Sequence, residues 1–252
     1  MTTITTSENK KIYFASDQHL GAPTPEASLP REKKFVAWLD AIKEDAGTVF
    51  LLGDLFDFWF EYKTVVPKGF VRVLGKLAEL KDAGIDIYFF VGNHDLWMRD
   101  YFQKELNIPV FHEPQEFDIN GKLFLIGHGD GLGPGDYGYK RMKKVFIFPF
   151  FKWLFRWLHP DIGVKLGHYF SVKNKLISGD EDAQFLGEEN EWLALYCRKK
   201  LTEKHYDFFI FGHRHLPLEI ELNSSSTYIN LGDWIQYFTY GEFMKTFKLK
   251  EF

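Results

Sequence analysis

The stretch "IYFASDQH", residues 12–19, decides the fold: a short apolar run, a small residue, then a carboxylate and an imidazole two positions apart. The run is too brief for an ordinary helix and rich in aromatic side chains, so it reads as a buried strand ending in polar groups. The same pattern returns as "VFLLGD" (49–54), "IYFFVGNHD" (87–95), "LFLIGHGD" (123–130) and "FFIFGHRH" (208–215). Helix-period segments lie between the early runs. Phe35, Trp38, Leu39 and Ile42 share one face, as do Phe70, Leu74, Leu77 and Ala78, with Gly84 as a stop.

Strand–helix–strand alternation predicts an α/β fold whose first sheet is largely parallel. "FDINGKLFLI" (117–126) reads as a hairpin turning at Asn120-Gly121. A helix is expected near 182–203, followed by strands at "LEIEL", "TYINLG" and "FMKTFKLK". The simplest assembly is two packed sheets flanked by helices, one domain over 1–252, interrupted by residues 132–181.

Composition narrows the function. A net charge of -4 argues against a nucleic-acid partner. Cys197 is the only cysteine, so no internal disulfide forms and a reducing compartment fits. The polar start "MTTITTSENKK" lacks the apolar centre of a secretory signal, and no run reaches the roughly 18–20 apolar residues of a membrane span. These features predict a cytoplasmic protein, attached at most to a membrane surface.

In open α/β sheets, functional groups gather beyond the carboxyl ends of strands. Here the strand ends carry Asp17 and His19, Asp54, Asn93 with His94 and Asp95, His128, and His213 with His215. Carboxylates, imidazoles and an amide without thiolate suit hard or borderline divalent ions: Mn²⁺, Mg²⁺, Fe²⁺ or Zn²⁺. On an extended backbone the outer residues of Asp17-x-His19 and His213-x-His215 would face the same way. Asp54, alone after a central strand, is the natural bridge between two ions.

These blocks resemble the calcineurin-like metallophosphoesterases, whose pattern is D-x-H, G-D, G-N-H-[DE], G-H and G-H-x-H, and they span residues 17–215. The resemblance implies a four-layer α/β/β/α sandwich and two divalent ions, Mn²⁺ being the first choice. One ion would take Asp17, His19, Asp54 and His215, the other Asp54, Asn93, His128 and His213. It also implies that His94 meets the reacting phosphate or assists the leaving group; the neighbouring Asp95 is expected to orient His94 or its loop.

Within the superfamily, "FASDQHLG", "LLGDLFDFW" and "HGDGLGPGDYGY" resemble the blocks of bacterial UDP-2,3-diacylglucosamine hydrolases. That resemblance implies a nucleotide-linked glycolipid substrate and places Asp136 and Tyr139 on the substrate side. Those hydrolases carry G-N-R-D where this chain has Gly92-Asn93-His94-Asp95, a departure that keeps another phosphodiester, nucleotide or phospholipid substrate as the alternative.

The interrupting segment 132–181 contains "VFIFPFFKWLFRWL" (145–158), with aromatic rings at seven of fourteen positions. Pro149 suits the first turn of a helix that His159-Pro160 ends, and Lys152 and Arg156 share a face. Lys140, Arg141, Lys143 and Lys144 precede it; Lys165, Lys173 and Lys175 follow. Either its rings are core, or the segment is a helical lid that binds acyl chains and meets the inner face of the inner membrane. Ser171, Lys173 and Lys175 are its candidate polar contacts with substrate. No obligate protein partner is inferred.

Overall fold

The computed structural model describes residues 1–135, 137–178, 184–185 and 187–252, with side chains for all of these except 171–178. One six-stranded sheet runs β12-β11-β2-β3-β4-β5, from β2 (Lys11–Ala15), β3 (Ala46–Leu52), β4 (Asp86–Phe90), β5 (Val110–Phe111), β11 (Thr239–Phe243) and β12 (Phe247–Glu251). The other runs β1-β6-β7-β8-β10-β9, from β1 (Thr2–Ile4), β6 (Gln115–Ile119), β7 (Lys122–Ile126), β8 (Phe208–Phe211), β9 (Pro217–Asn223) and β10 (Ser226–Leu231). The β2-β3-β4-β5 block is parallel, as the crossovers through α1 (Pro25–Ile42), α2 (Val71–Asp82) and α3 (Tyr101–Leu106) require.

Strand alternation builds the layers. Ile12 and Phe14 point between the sheets, where Phe50, Phe90, Phe117, Phe124 and Ile210 meet them. Tyr13 and Ala15 point the other way, onto Phe35, Trp38 and Leu39 of α1 and Leu77 of α2. On the far side, α7 (Trp192–Leu201) lays Leu193, Ala194 and Cys197 on Leu125, Phe209 and Phe211. The result is the four-layer α/β/β/α sandwich.

Much of the phenylalanine excess serves the inter-sheet layer. Phe14 stacks on Phe50 at 5.1 Å, and Phe50 meets Phe117 edge-on at 5.0 Å. Phe50→Ala should therefore cost about 3–5 kcal/mol of stability, measured by denaturant unfolding. A loss below about 1 kcal/mol would show that the layer collapses around the gap.

The Asn120-Gly121 hairpin forms as expected, with both residues at positive φ (52° and 81°), the type I′ signature. Three expectations change. On α2 the expected Phe70, Leu74 and Leu77 do pack on the core, but its fully buried residues are Val73, Leu77 and Leu80; Phe70 is the N-cap, in left-handed backbone, and Ala78 is only half-buried. The helix expected near 182–203 is described from Trp192 to Leu201. "FMKTFKLK" is not one strand: β11 ends at Phe243 and β12 begins at Phe247, so the stretch spans a hairpin turn.

Between β7 and α7 come α4 (Tyr137–Ile147), α5 (Pro149–Arg156) and α6 (Pro160–Ser178). Pro149 occupies the first turn of α5, and the helix ends before His159-Pro160. Apart from Phe155, its rings are not core. Phe150, Trp153 and Trp157 are 54%, 52% and 74% exposed, whereas Lys152, Phe155 and Arg156 are half-buried. Helix α5 thus turns charge inward and aromatic surface outward. Phe155 anchors it against Phe60 and Trp97 (4.7 and 4.6 Å between rings), and Trp97 Nε1 donates to Phe146 O at 2.8 Å. No described helix is long and apolar enough to cross a membrane.

Candidate metal centre

The five polar motifs follow β2, β3, β4, β7 and β8, so both sheets bring their strand ends to one seam. Their local geometry differs from the extended triplets expected. Asp17, His19, Asp54, His213 and His215 all have positive φ, between 44° and 69°. Left-handed backbone costs a non-glycine residue about 1–3 kcal/mol and persists only where surroundings enforce it. Here Asp17 N–H donates to Gly53 O (3.1 Å), His19 N–H to Asp54 O (2.8 Å) and His213 N–H to Asp17 Oδ2 (2.9 Å). The loops turn both triplets inward by coiling, not by strand alternation.

Glycines permit the close approach. A Cβ on Gly92 would overlap Asp54 Oδ1, and one on Gly53, at φ 87°, would lie 2.6 Å from His128 Nδ1. Arg214, between the two loop histidines, is 5% exposed and its Nε donates to the buried Glu191 carboxylate at 3.1–3.2 Å. That ion pair ties the last loop to the start of α7.

The side chains form three close groups: Asp17, His19 and His215; His19, Asp54 and His94; Asp54, His128 and His213. Asp54 Oδ2 lies 3.7 Å from His19 Nε2 and 3.4 Å from His128 Nε2, between the two halves. His19 Nε2 faces His215 Nε2 at 3.2 Å, and His128 Nε2 faces Asn93 Oδ1 at 3.2 Å. Asp17 Oδ1 is buried without a hydrogen-bond partner. Converging lone pairs and an orphaned buried carboxylate oxygen fit divalent cations, and the donor set of oxygen and imidazole nitrogen fits hard or borderline ones.

Behind the ring nitrogens stand oxygens absent from the sequence motifs. His128 Nδ1–H donates to Leu52 O at 2.7 Å, and His94 Nδ1–H to Asp57 O at 2.9 Å. His215 Nδ1 lies 3.2 Å from Asp233 Oδ2, and His19 Nδ1 3.4 Å from Asp57 Oδ1. The contacts of His128, His94 and His215 present Nε2 to the centre, the arrangement by which outer groups orient metal-binding histidines, whereas His19 Nδ1 makes no hydrogen bond. Asp57 sits in the quoted "GDLFDFW", but nothing in that spacing announces its contact with His19. Asp233, in the loop after β10, had no motif to reveal it.

The electrostatics favour positive charge at the centre. Burial opposes protonation of His128, yet the carboxylates of Asp54, Asp17 and Asp130 outweigh it and raise its pKa to about 10. His213 goes the other way, to about 4, through burial and the charge of His128. Burial and the charge of Asp54 raise Asp95 to about 8.

The remaining candidates fall into place unevenly. Asp95 is buried, accepting from Gly92 N–H (2.6 Å) and Leu55 N–H (3.1 Å), so it staples two loops of the centre. Tyr139 donates to Asp130 Oδ2 at 2.5 Å, and its ring lies 6.5 Å from that of His213. Ser171, Lys173 and Lys175 belong to α6, but their side chains lie outside the described residues, as does Asp136 altogether.

Comparison with known proteins agrees with this geometry. The family model described as Calcineurin-like phosphoesterase matches residues 10–217. A UDP-2,3-diacylglucosamine hydrolase of Porphyromonas gingivalis is 39% identical over 245 residues, covering 91% of this chain and 92% of that protein. Proteins of the same name from Actinobacillus succinogenes and Haemophilus influenzae are each 27% identical, covering 89% of this chain and 92% and 91% of theirs. With the sandwich, the strand-end ligand groups and these matches in agreement, the chain belongs to the calcineurin-like phosphoesterases and is a metal-dependent phosphoric ester or anhydride hydrolase.

Proposed function

We propose that the protein hydrolyses the pyrophosphate of UDP-2,3-diacylglucosamine, releasing UMP and 2,3-diacylglucosamine 1-phosphate, in lipid A biosynthesis. The observation that carries this reading is a hydrolase centre flanked by exposed aromatic helices, in a chain 39% identical to a protein of that name. Asp17, His19, Asp54 and His215 would hold one cation and Asp54, Asn93, His128 and His213 the other, with Mn²⁺ the favoured ion. Bound there, the two ions would supply a lowered water pKa and neutralise phosphoryl charge.

The chain's own groups do the rest. In the reaction a P–O bond forms from water as the bridging P–O bond breaks. His94, fixed at Nδ1 by Asp57 O, presents Nε2 to the centre; as an imidazolium it would protonate the departing oxygen. Asp95 keeps the Asn93-His94 loop against the Asp54 loop. Residues 132–181 form a lid, with Tyr139, Asp136, Ser171, Lys173 and Lys175 as substrate contacts. The lid's outer rings, beside the exposed Arg141 and Lys144, would rest on the anionic inner face of the inner membrane, collecting a two-tailed substrate.

The test is phosphorus NMR and mass spectrometry of products from the diacylated substrate, with Mn²⁺ and with chelator. UMP should appear only with metal. Equal efficiency on UDP-glucose would refute the lipid assignment and favour the second reading, another phosphodiester, to which His94 in place of arginine already points.

A further inference from the structure

The buried Asp57 carboxylate lies among three imidazoles. Its Oδ1 is 3.4 Å from His19 Nδ1 and 3.6 Å from His94 Nδ1; its Oδ2 is 3.9 Å from His168 Nδ1. The first two histidines belong to the strand-end loops. The third comes from α6, far along the chain, and its side chain is one-third exposed.

Helix α6 reaches this depth because one face is bare. Gly163 and Gly167 are four residues apart; a Cβ on Gly167 would overlap the Phe58 ring, and one on Gly163 would overlap Tyr62 Oη. The helix therefore beds directly on the Phe58–Tyr62 segment, and the next residue, His168, reaches over Asp57. Its ring lies 5.8 Å from that of Phe58. The 3.9 Å separation from Asp57 is about 1 Å longer than an N–H···O hydrogen bond, so a small inward shift would complete one.

We propose that His168 is a positioning residue: a latch that holds α6 closed over the centre by donating from Nδ1 to Asp57 Oδ2. Asp57 faces His19 and His94 through Oδ1 and leaves Oδ2 for His168, so the latch uses the oxygen that the central imidazoles do not. The inference rests on the reading of α4–α6 as a lid. No other acidic side chain among the described residues is recorded within ion-pair distance of His168.

The test compares His168→Ala and His168→Asn in the full, metal-loaded chain. Tryptic cleavage at lid residues such as Arg156 and Lys165, without substrate, should quicken several-fold in H168A and stay near wild type in H168N, which keeps a donor. On the diacylated substrate, KM should rise about tenfold in H168A with kcat nearly unchanged, the size of one hydrogen bond to a charged group. Hydrolysis of the small ester bis(p-nitrophenyl) phosphate should not change.

Unaltered proteolysis in H168A would overturn the latch, and so would equal losses on both substrates, which would indicate damage to the centre. If the wild type leaves the diacylated substrate intact, the proposed reaction fails, while the proteolysis comparison still decides the latch.

Discussion

Asp54→Asn is expected to lower kcat by about 10³-fold or more while the protein stays folded. Asp54 is the one carboxylate whose Oδ2 sits between both halves of the centre, 3.7 Å from His19 Nε2 and 3.4 Å from His128 Nε2. On the proposed assignment Asp54 is the anionic ligand that both cations share, so its loss should weaken both sites, and about 4 kcal/mol of lost stabilisation is already 10³-fold in rate. Asparagine is chosen over alanine because Asp54 has φ 53°, a conformation asparagine tolerates well, and because its amide oxygen can still accept from His94 N–H.

Two further readouts belong to this variant. Bound Mn²⁺ should fall to about half the wild-type stoichiometry or less. In the metal-free protein the His128 pKa should drop from about 10, because the Asp54 charge and hydrogen bond that oppose the cost of burial are lost. His128→Ala should be as inactive, although it strands Leu52 O and is the less stable protein by about 1–3 kcal/mol. Near-normal turnover in either metal-loaded variant would sink the assignment of these residues to the metals.

How much of this was legible beforehand follows from what each signal encodes. Five apolar runs ending in chemistry-bearing residues place those residues at strand ends, and parallel strands put their ends on one edge. That is enough to bring Asp17, Asp54 and Asn93 to one edge of the first sheet and His128 and His213 to one edge of the second, but not to join the two edges. The left-handed turns at Asp17 and His19 are not legible, because aspartate and histidine adopt φ > 0 only where contacts such as Asp17 N–H to Gly53 O enforce it. Asp233 behind His215 is a partnership across 18 residues, between the loops that follow the paired strands β8 and β10, with no local pattern to mark it. For α5, periodicity shows that Lys152 and Arg156 share a face, but not which way the face points. Inward charge and outward rings reverse the usual rule, and only packing of Phe155 on Trp97 reveals the direction.

That reversal supports the second large prediction. The triple variant Phe150→Ser, Trp153→Ser, Trp157→Ser should lose about a hundredfold in affinity for vesicles rich in phosphatidylglycerol. Each ring is at least half exposed, so each offers roughly 1 kcal/mol of apolar transfer into an interface, and about 3 kcal/mol is about a hundredfold. The same exposure means that little folding energy is at stake, so unfolding midpoints should barely move.

Turnover of diacylated substrate carried in vesicles should fall in parallel, while bis(p-nitrophenyl) phosphate hydrolysis stays within about twofold, since no metal-site residue changes. Raising salt should weaken the wild type's vesicle binding only in part, because the cations of α4 are screened and the rings are not. Unchanged vesicle affinity in the triple variant would remove the membrane from the account of α5. The rings would then need an occupant inside the active site, and the acyl chains of the substrate would be that occupant if kcat/KM fell with detergent-dispersed substrate. The variant thus separates a helix that finds the lipid surface from one that holds the lipid.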